Sequence, residues 1–281
     1  MKISKANQIL VDALEDIYDV RESEQIRAIF WEDLFHYYGG IDRVLQSREI
    51  EKFDFALDQI KREMPIQYVT GISHFYGLKL EVDPHVLIPR PETEELVYHV
   101  IQHSKSGESW PVLDVGTGSG CIALALKNKR STFDMTAIDV STDALNIARR
   151  NAERQEQKIN FVEMDFLDPK ARKGLGLYRL IVSNPPYISV DEKDKMSVST
   201  LNFEPDQALY PDHEDVLIFY KTIADFGQEH LEHGGRVALE CNEFNAQEVR
   251  KIFNNRNYTN VELIKDMQGK DRILSATWEA S

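Results

Sequence analysis

Apolar positions in the first quarter of the chain recur three and four residues apart. Ile3, Ala6, Leu10, Ala13, Leu14 and Ile17 form one such series, and Ile26, Ile29, Phe30, Leu34 and Tyr37 a second before Gly39-Gly40. A third runs through Ile50, Phe53, Leu57 and Ile60 and is closed by Pro65. That spacing places each series on one face of a helix, so residues 1–63 predict a small helical bundle. Two uses fit such a bundle equally, a packing cap and a docking surface for a macromolecular substrate. From Gln67 the period shortens. Tyr68-Val69-Thr70, then Gly71, then alternating Leu78, Leu80 and Val82 predict a β-hairpin, so residues 64–90 form a linker.

Residues 91–281 alternate short apolar runs with helical periods, the pattern of a doubly wound α/β sheet. Val112 to Val115, Met135 to Ile138, Phe161-Val162, Leu180 to Ser183 and Arg236 to Leu239 predict five strands. Helices are expected at Ile122 to Lys127, after a Ser141 cap, from Val216 to Leu231 with a stop at Gly234-Gly235, and over Gln247 to Phe253. Val261 to Ile264 and Ile273 to Thr277 are expected to pair as edge strands. In such folds ligands bind at the carboxyl ends of the strands, which directs attention to the turns there.

The turn after the first strand is Gly116-Thr117-Gly118-Ser119-Gly120. Glycines permit a tight backbone and close approach of a ligand, and a helix begins at once. A dinucleotide fingerprint requires a third glycine where Cys121 stands, which weakens a nicotinamide reading. Asp139, ending the second strand, is placed to accept hydrogen bonds from a ribose diol. Asp165-Phe166, after the third, offers an acceptor and an aromatic face to an adenine; a chance acid beside a core Phe is the other reading of that pair. Asp114 precedes the glycines, where an acid favours a cationic ligand and repels a pyrophosphate. That preference points to a sulfonium cofactor, S-adenosylmethionine.

The turn after the fourth strand is Asn184-Pro185-Pro186-Tyr187. Two prolines fix two φ angles and remove two N–H donors, leaving backbone carbonyls in a stiff loop free to accept. The Asn side chain adds an acceptor oxygen, and Tyr a flat wall with a polar tip. The combination suits a planar –NH2 group. The stretch Ile88-Pro89-Arg90-Pro91-Glu92-Thr93-Glu94-Glu95 reads as a stiff loop entering a helix with Pro91 in its first position; it either walls a pocket or shapes the linker.

Composition changes the picture at one point. Apolar and charged fractions are ordinary for a globular protein, but the formal net charge is −14, spread over both the helical region and the remainder. Neither part carries the basic footprint of a protein that grips nucleic acid by its phosphates, so a nucleic-acid partner is not expected. Two cysteines, Cys121 and Cys241, make neither a disulfide framework nor a metal-ligand spacing, so no metal is expected and the thiols are expected reduced, in the cytoplasm. No leader segment or membrane span is expected.

Asp114 to Gly120 together with Asn184 to Tyr187 resemble class I methyltransferases that modify planar amino groups. The further stretches Gln67-Tyr68-Val69-Thr70-Gly71, Phe75-Tyr76-Gly77-Leu78, Ile88 to Glu94, Glu204-Pro205-Asp206-Gln207-Ala208-Leu209 and Asp271-Arg272 resemble the peptide chain release factor N5-glutamine methyltransferases. The resemblance extends from about Met64 to Arg272. It implies a Rossmann-like methyltransferase sheet and methylation of the glutamine in the Gly-Gly-Gln loop of class 1 release factors. It carries the cofactor role to Gly116 through Gly120, Asp139, Phe166 and Asn184, and the substrate role to Asn184, Pro185, Pro186 and Tyr187; catalytic roles are expected of Asn184, Pro185 and Tyr187. Adenine-N6 enzymes share the two main motifs, and a relative modifies a ribosomal-protein glutamine; both stand as alternatives, with a cofactor-binding regulator as a third. The chain departs from the family pattern at Cys241-Asn242-Glu243-Phe244-Asn245 and at His213-Glu214-Asp215-Val216.

Overall fold

The computed structural model describes residues 1–188 and 198–279. They divide into two compact units. The first comprises Met1–Ile72, Val82–Pro84 and the described part of Lys195–Phe203; the second comprises Ser73–Glu81 and the described parts of His85–Asp194 and Glu204–Ser281.

In the first unit, α1 (Ile3–Glu15), α2 (Val20–Ile29), α3 (Ser47–Lys61) and α4 (Ile66–Thr70) enclose a core of Ile3, Leu10, Leu14, Ile26, Phe30, Trp31, Phe53 and Ile60. The Asp19 side chain accepts from the Glu22 amide at the start of α2, satisfying an N–H that the helix leaves orphaned. The sequence predicts one helix through Ile26 and Leu34; instead α2 gives way to a π-helical turn over Phe30–Leu34. The wider turn lets Phe30, Trp31, Leu34 and Phe35 all reach the core, where Phe30 stands edge-on to Trp31 and Phe53. The expectation of a strand at Tyr68-Val69-Thr70 is corrected: these residues lie in α4. Pro65 precedes the helix and Gly71 ends it in a left-handed conformation with φ of 71°, and the two end signals override the β preference of Val and Thr.

The hairpin begins one residue later, with β1 (Ile72–Phe75) and β2 (Leu78–Glu81) joined through Tyr76-Gly77. Next come α5 (Pro91–Gln102), β3 (Pro111–Val115), α6 (Cys121–Lys129), β4 (Asp134–Asp139), α7 (Thr142–Arg154), β5 (Asn160–Glu163), α8 (Pro169–Arg172) and β6 (Tyr178–Ser183). Beyond them lie α9 (Val198–Phe203), α10 (Asp206–Leu209), α11 (Ile218–His230), β7 (Leu231–Glu240), α12 (Ala246–Asn254), β8 (Thr259–Lys265) and β9 (Asp271–Trp278). The seven-stranded sheet has the order β5-β4-β3-β6-β7-β9-β8, parallel through β7 and antiparallel beyond. Alternate strand residues face opposite layers. Val112, Leu180 and Val182 pack with α5 and α6, and Leu113, Ile181 and Val237 with α11 and α12.

Two further expectations change. Gly234-Gly235 does not stop a helix but lies inside β7, which starts at Leu231 and joins β6 through a register irregularity. The final hairpin does not supply two edge strands: β9 inserts between β7 and β8, so only β8 is an edge. Hydrophobic alternation marks a strand but does not say which neighbour it pairs with.

Candidate functional site

The strand order reverses at β3 and β6, the point where a doubly wound sheet opens a crevice at its carboxyl ends. Val115 pairs in register with Ser183, and the Ser183 hydroxyl donates to the Val115 carbonyl at 2.6 Å. The glycine-rich turn and the Asn-Pro-Pro-Tyr turn therefore leave the sheet side by side.

Short-range bonds shape the first turn. The Gly116 and Thr117 amides both donate to the Ile138 carbonyl at 2.9 Å, and the Gly118 amide donates to Asp139 Oδ2 at 2.8 Å. Asp139 Oδ1 accepts from the Ser141 amide, so this carboxylate ties the turn to the start of α7. Gly116, Gly118 and Gly120 have φ of 71°, 54° and 81°, a region costly for any residue with a Cβ. A Cβ built at Gly116 or Gly118 would meet nothing within 4 Å, whereas at Gly120 it would lie 3.2 Å from the Ala148 Cβ. The first two glycines thus leave open space for a ligand, and the third serves close helix packing. Ser119 is buried, and its carbonyl accepts from Asn151 Nδ2, whose side chain also exchanges bonds with the Glu81 backbone of the hairpin.

Asp114 is buried behind the turn. Its Oδ2 accepts from the Thr117 hydroxyl at 2.7 Å, while its Oδ1 is a buried oxygen without a hydrogen-bond partner among the described residues. Burial pushes its carboxyl up to about 7, against the lowering effect of the Thr117 bond. Burial also raises Asp139 above the ordinary carboxylate range. A carboxyl with an orphaned oxygen behind an open glycine cradle fits a ligand that brings positive charge.

Asp165 and Phe166 make their hydrogen-bond and ring contacts with other residues than those of the glycine turn. Asp165 is exposed and its Oδ1 accepts from the Leu167 amide. Phe166 is a core residue, edge-on to Phe226 with the Arg172 guanidinium over its ring. The core reading of this Phe is the one its packing supports.

The second turn is held by distant residues. Asn184 Nδ2 donates to the Thr93 hydroxyl at 3.2 Å, Thr93 donates to Glu240 Oε2 at 2.6 Å, and the Tyr187 hydroxyl donates to Glu240 Oε1 at 3.1 Å. Pro185 is buried, and Asn184 half-buried. Glu240 ends β7, Thr93 lies in the first turn of α5, and the Tyr220 hydroxyl holds the Glu240 carbonyl. Burial raises Glu240, opposed by the bonds from Thr93 and Tyr187 and by the charge of Arg272. Burial, then the Glu240 charge, raises Tyr187 well above the usual phenol range. Sequence reasoning assigned no role to Thr93 or Glu240. The signal was present in an acid closing the apolar run Val237 to Leu239, the position that drew attention to Asp139 at the end of β4.

The Arg90 loop is also anchored. Arg90 pairs with Glu204, whose carboxylate is 1% exposed and also accepts from the Ile88 amide at 3.3 Å. Arg272 pairs with the equally buried Asp266 at 3.2 Å. Among the described residues no group of His, Cys, Asp and Glu could hold a metal ion. Burial pushes the Cys121 and Cys241 thiols up to about 12, so neither is a ready nucleophile.

A parallel sheet with this strand order, a glycine-rich turn after β3 and an Asn-Pro-Pro-Tyr turn after β6 define a class I methyltransferase. The sequence profile of the methyltransferase small domain matches residues 93–223. The release factor glutamine methyltransferase of Bacteroides thetaiotaomicron is 36% identical, over 94% of this chain and 96% of its own length. That of Staphylococcus aureus is 39% identical over 82% and 81%. The crystal structure of a methyltransferase from Pyrococcus furiosus shares the fold with a TM-score of 0.52 at 20% identity, covering 73% of this chain and 90% of that one. The chain belongs to the release factor glutamine methyltransferase family.

Proposed function

We propose that the chain transfers a methyl group from S-adenosylmethionine to the side-chain amide nitrogen of the glutamine in the Gly-Gly-Gln loop of class 1 peptide chain release factors, in the cytoplasm. Family membership supports the substrate class. The observation that carries the chemistry is the setting of Asn184: its amino group is committed to Thr93, and among the described residues its carbonyl oxygen has no donor.

Gly116 and Gly118 would give the cofactor backbone contact and space, Asp139 would accept from its ribose hydroxyls, and the buried Asp114 would favour its positive charge. The bound cofactor supplies a methyl group on a sulfonium that is already a strong donor. A glutamine amide nitrogen is a poor nucleophile, because its lone pair is delocalised into the carbonyl. Asn184 Oδ1 and the Pro185 carbonyl accept the two amide hydrogens, which holds electron density on nitrogen and fixes its direction of attack. Proximity then removes much of the barrier. The nitrogen sheds its proton after transfer, when it is cationic and acidic, so no general base is needed. Tyr187, anchored by Glu240, packs against the flat amide and excludes water.

Incubating the protein with a release factor and S-adenosylmethionine, followed by mass spectrometry, tests this reading: one added methyl on the loop glutamine is expected. Label on DNA with none on protein would refute it in favour of adenine-N6 chemistry, and label on a ribosomal protein alone would redirect the substrate.

A further inference from the structure

An asparagine side chain can present either its oxygen or its amino group to a partner, and a catalyst that must accept hydrogens from an amide works in only one of the two orientations. Nothing in the Asn-Pro-Pro-Tyr segment itself chooses between them. The choice can be followed outward through the hydrogen bonds. Glu240 closes β7 as a buried carboxylate that accepts from two hydroxyls, Thr93 on Oε2 at 2.6 Å and Tyr187 on Oε1 at 3.1 Å. Both Glu240 oxygens accept in this arrangement, so the single Thr93 hydroxyl hydrogen is committed to the carboxyl. The Thr93 oxygen can then only accept, and what it accepts at 3.2 Å is the Asn184 amino group. With Nδ2 held there, Oδ1 is the end left for the reaction.

We propose that Thr93, its hydroxyl aimed by Glu240, is a positioning residue that sets the hydrogen-bond polarity of Asn184, so that the carbonyl oxygen and not the amino group receives the substrate amide. The inference rests on the role proposed for Asn184. Thr93 itself touches neither substrate nor cofactor; it acts through Asn184. The fold assembles the relay from three places. Pro91 opens α5 and puts Thr93 in its first turn, β6 delivers Asn184, and the neighbouring β7 ends at Glu240. Because the same carboxylate holds Tyr187, both ends of the turn are referred to one buried charge. Arg272, also half-buried, offsets that charge and keeps Glu240 from rising further.

The isosteric Thr93→Val removes the hydroxyl and leaves the volume, freeing the Asn184 amide to turn over. Methyl transfer to release factor should lose about 10- to 100-fold in kcat, the scale of a misplaced catalytic contact, with KM for the release factor and cofactor affinity within about twofold of wild type. Thr93→Ser, which restores a hydroxyl, should recover kcat to within about threefold. Placed on Asn184→Ala, Thr93→Val should cost nothing more, because the group it orients is already gone. If Thr93→Val purifies unfolded, Thr93→Ala gives the same comparison. Undiminished kcat in Thr93→Val, equal losses in the Ser and Val variants, or a further full loss on the Asn184→Ala background would each overturn the relay. Full activity in Asn184→Ala alone would instead sink the reading of Asn184 on which it stands.

Discussion

Two turns leave the same end of the sheet from paired strands, and they are built in opposite ways. The glycine-rich turn after β3 is made of backbone. Its shape comes from three positive φ angles and from bonds to Ile138 and Asp139, no more than 21 to 22 residues away. The turn after β6 is made of side chains held from afar: Asn184 depends on Thr93 at a separation of 91 residues, Tyr187 on Glu240 at 53, and the two anchors on each other at 147. On the proposed function, a cofactor common to many enzymes would be met by a generic backbone cradle, and the reacting amide by an oriented side chain whose orientation has to be imposed from outside the turn.

The difference can be broken at either turn. The largest effect is expected for Asn184→Ala, which should lower the methyl-transfer rate by about 10²-fold or more while S-adenosylmethionine affinity changes little, measured by single turnover against calorimetric titration. An equal loss in affinity would mean that the two turns are not separable. Gly120→Ala should act on folding instead. It combines a left-handed backbone with a Cβ 3.2 Å from Ala148, and thermal unfolding should report a loss of about 2 kcal/mol. Gly118→Ala meets open space but keeps the left-handed strain, so it should lose about 1 kcal/mol of stability and, in addition, bind the cofactor roughly tenfold more weakly, with kcat at saturation near wild type.

A pH-dependent effect concerns Asp114. Its pKa is raised from 3.8 in the unfolded chain to about 7 in the fold, so the folded state holds a proton that the unfolded state has released. The contribution to stability is therefore complete below pH 4 and is lost as pH rises toward 7. Asp114→Asn removes that term. Its stability relative to wild type should rise by at most about 1.4 kcal/mol per pH unit between pH 4 and 7 and flatten above, as read from denaturant midpoints in the absence of cofactor. A difference that does not vary with pH would show that Asp114 ionises normally.

The same contrast explains what could be read from the amino-acid sequence. The first four parallel strands, the glycine turn, the Ser141 cap and the proline entry to α5 are local matters of periodicity, backbone freedom and end signals, and each lies where the sequence places it, while the fifth strand starts five residues earlier, at Leu231. The helix at Ile66–Thr70 was not legible, because Tyr68, Val69 and Thr70 carry strand preferences and five residues are too few for a period to show. The insertion of β9 beside β7 was not legible either, since alternation is blind to partner. Phe166 shows a third limit: a strand-end aromatic reads equally as ligand seat or core, and what the structure adds is its packing against Phe226.

Sequence alone determined that this chain folds as a methyltransferase and which two turns face each other's ligands, because glycine, proline and hydrophobic period act within a few residues. Only the tertiary structure decided which end of the Asn184 amide points outward. That choice is made by a threonine on α5 and a glutamate at the end of β7; an acid closing an apolar run marks the glutamate, but nothing in either neighbourhood pairs it with a residue 147 positions away.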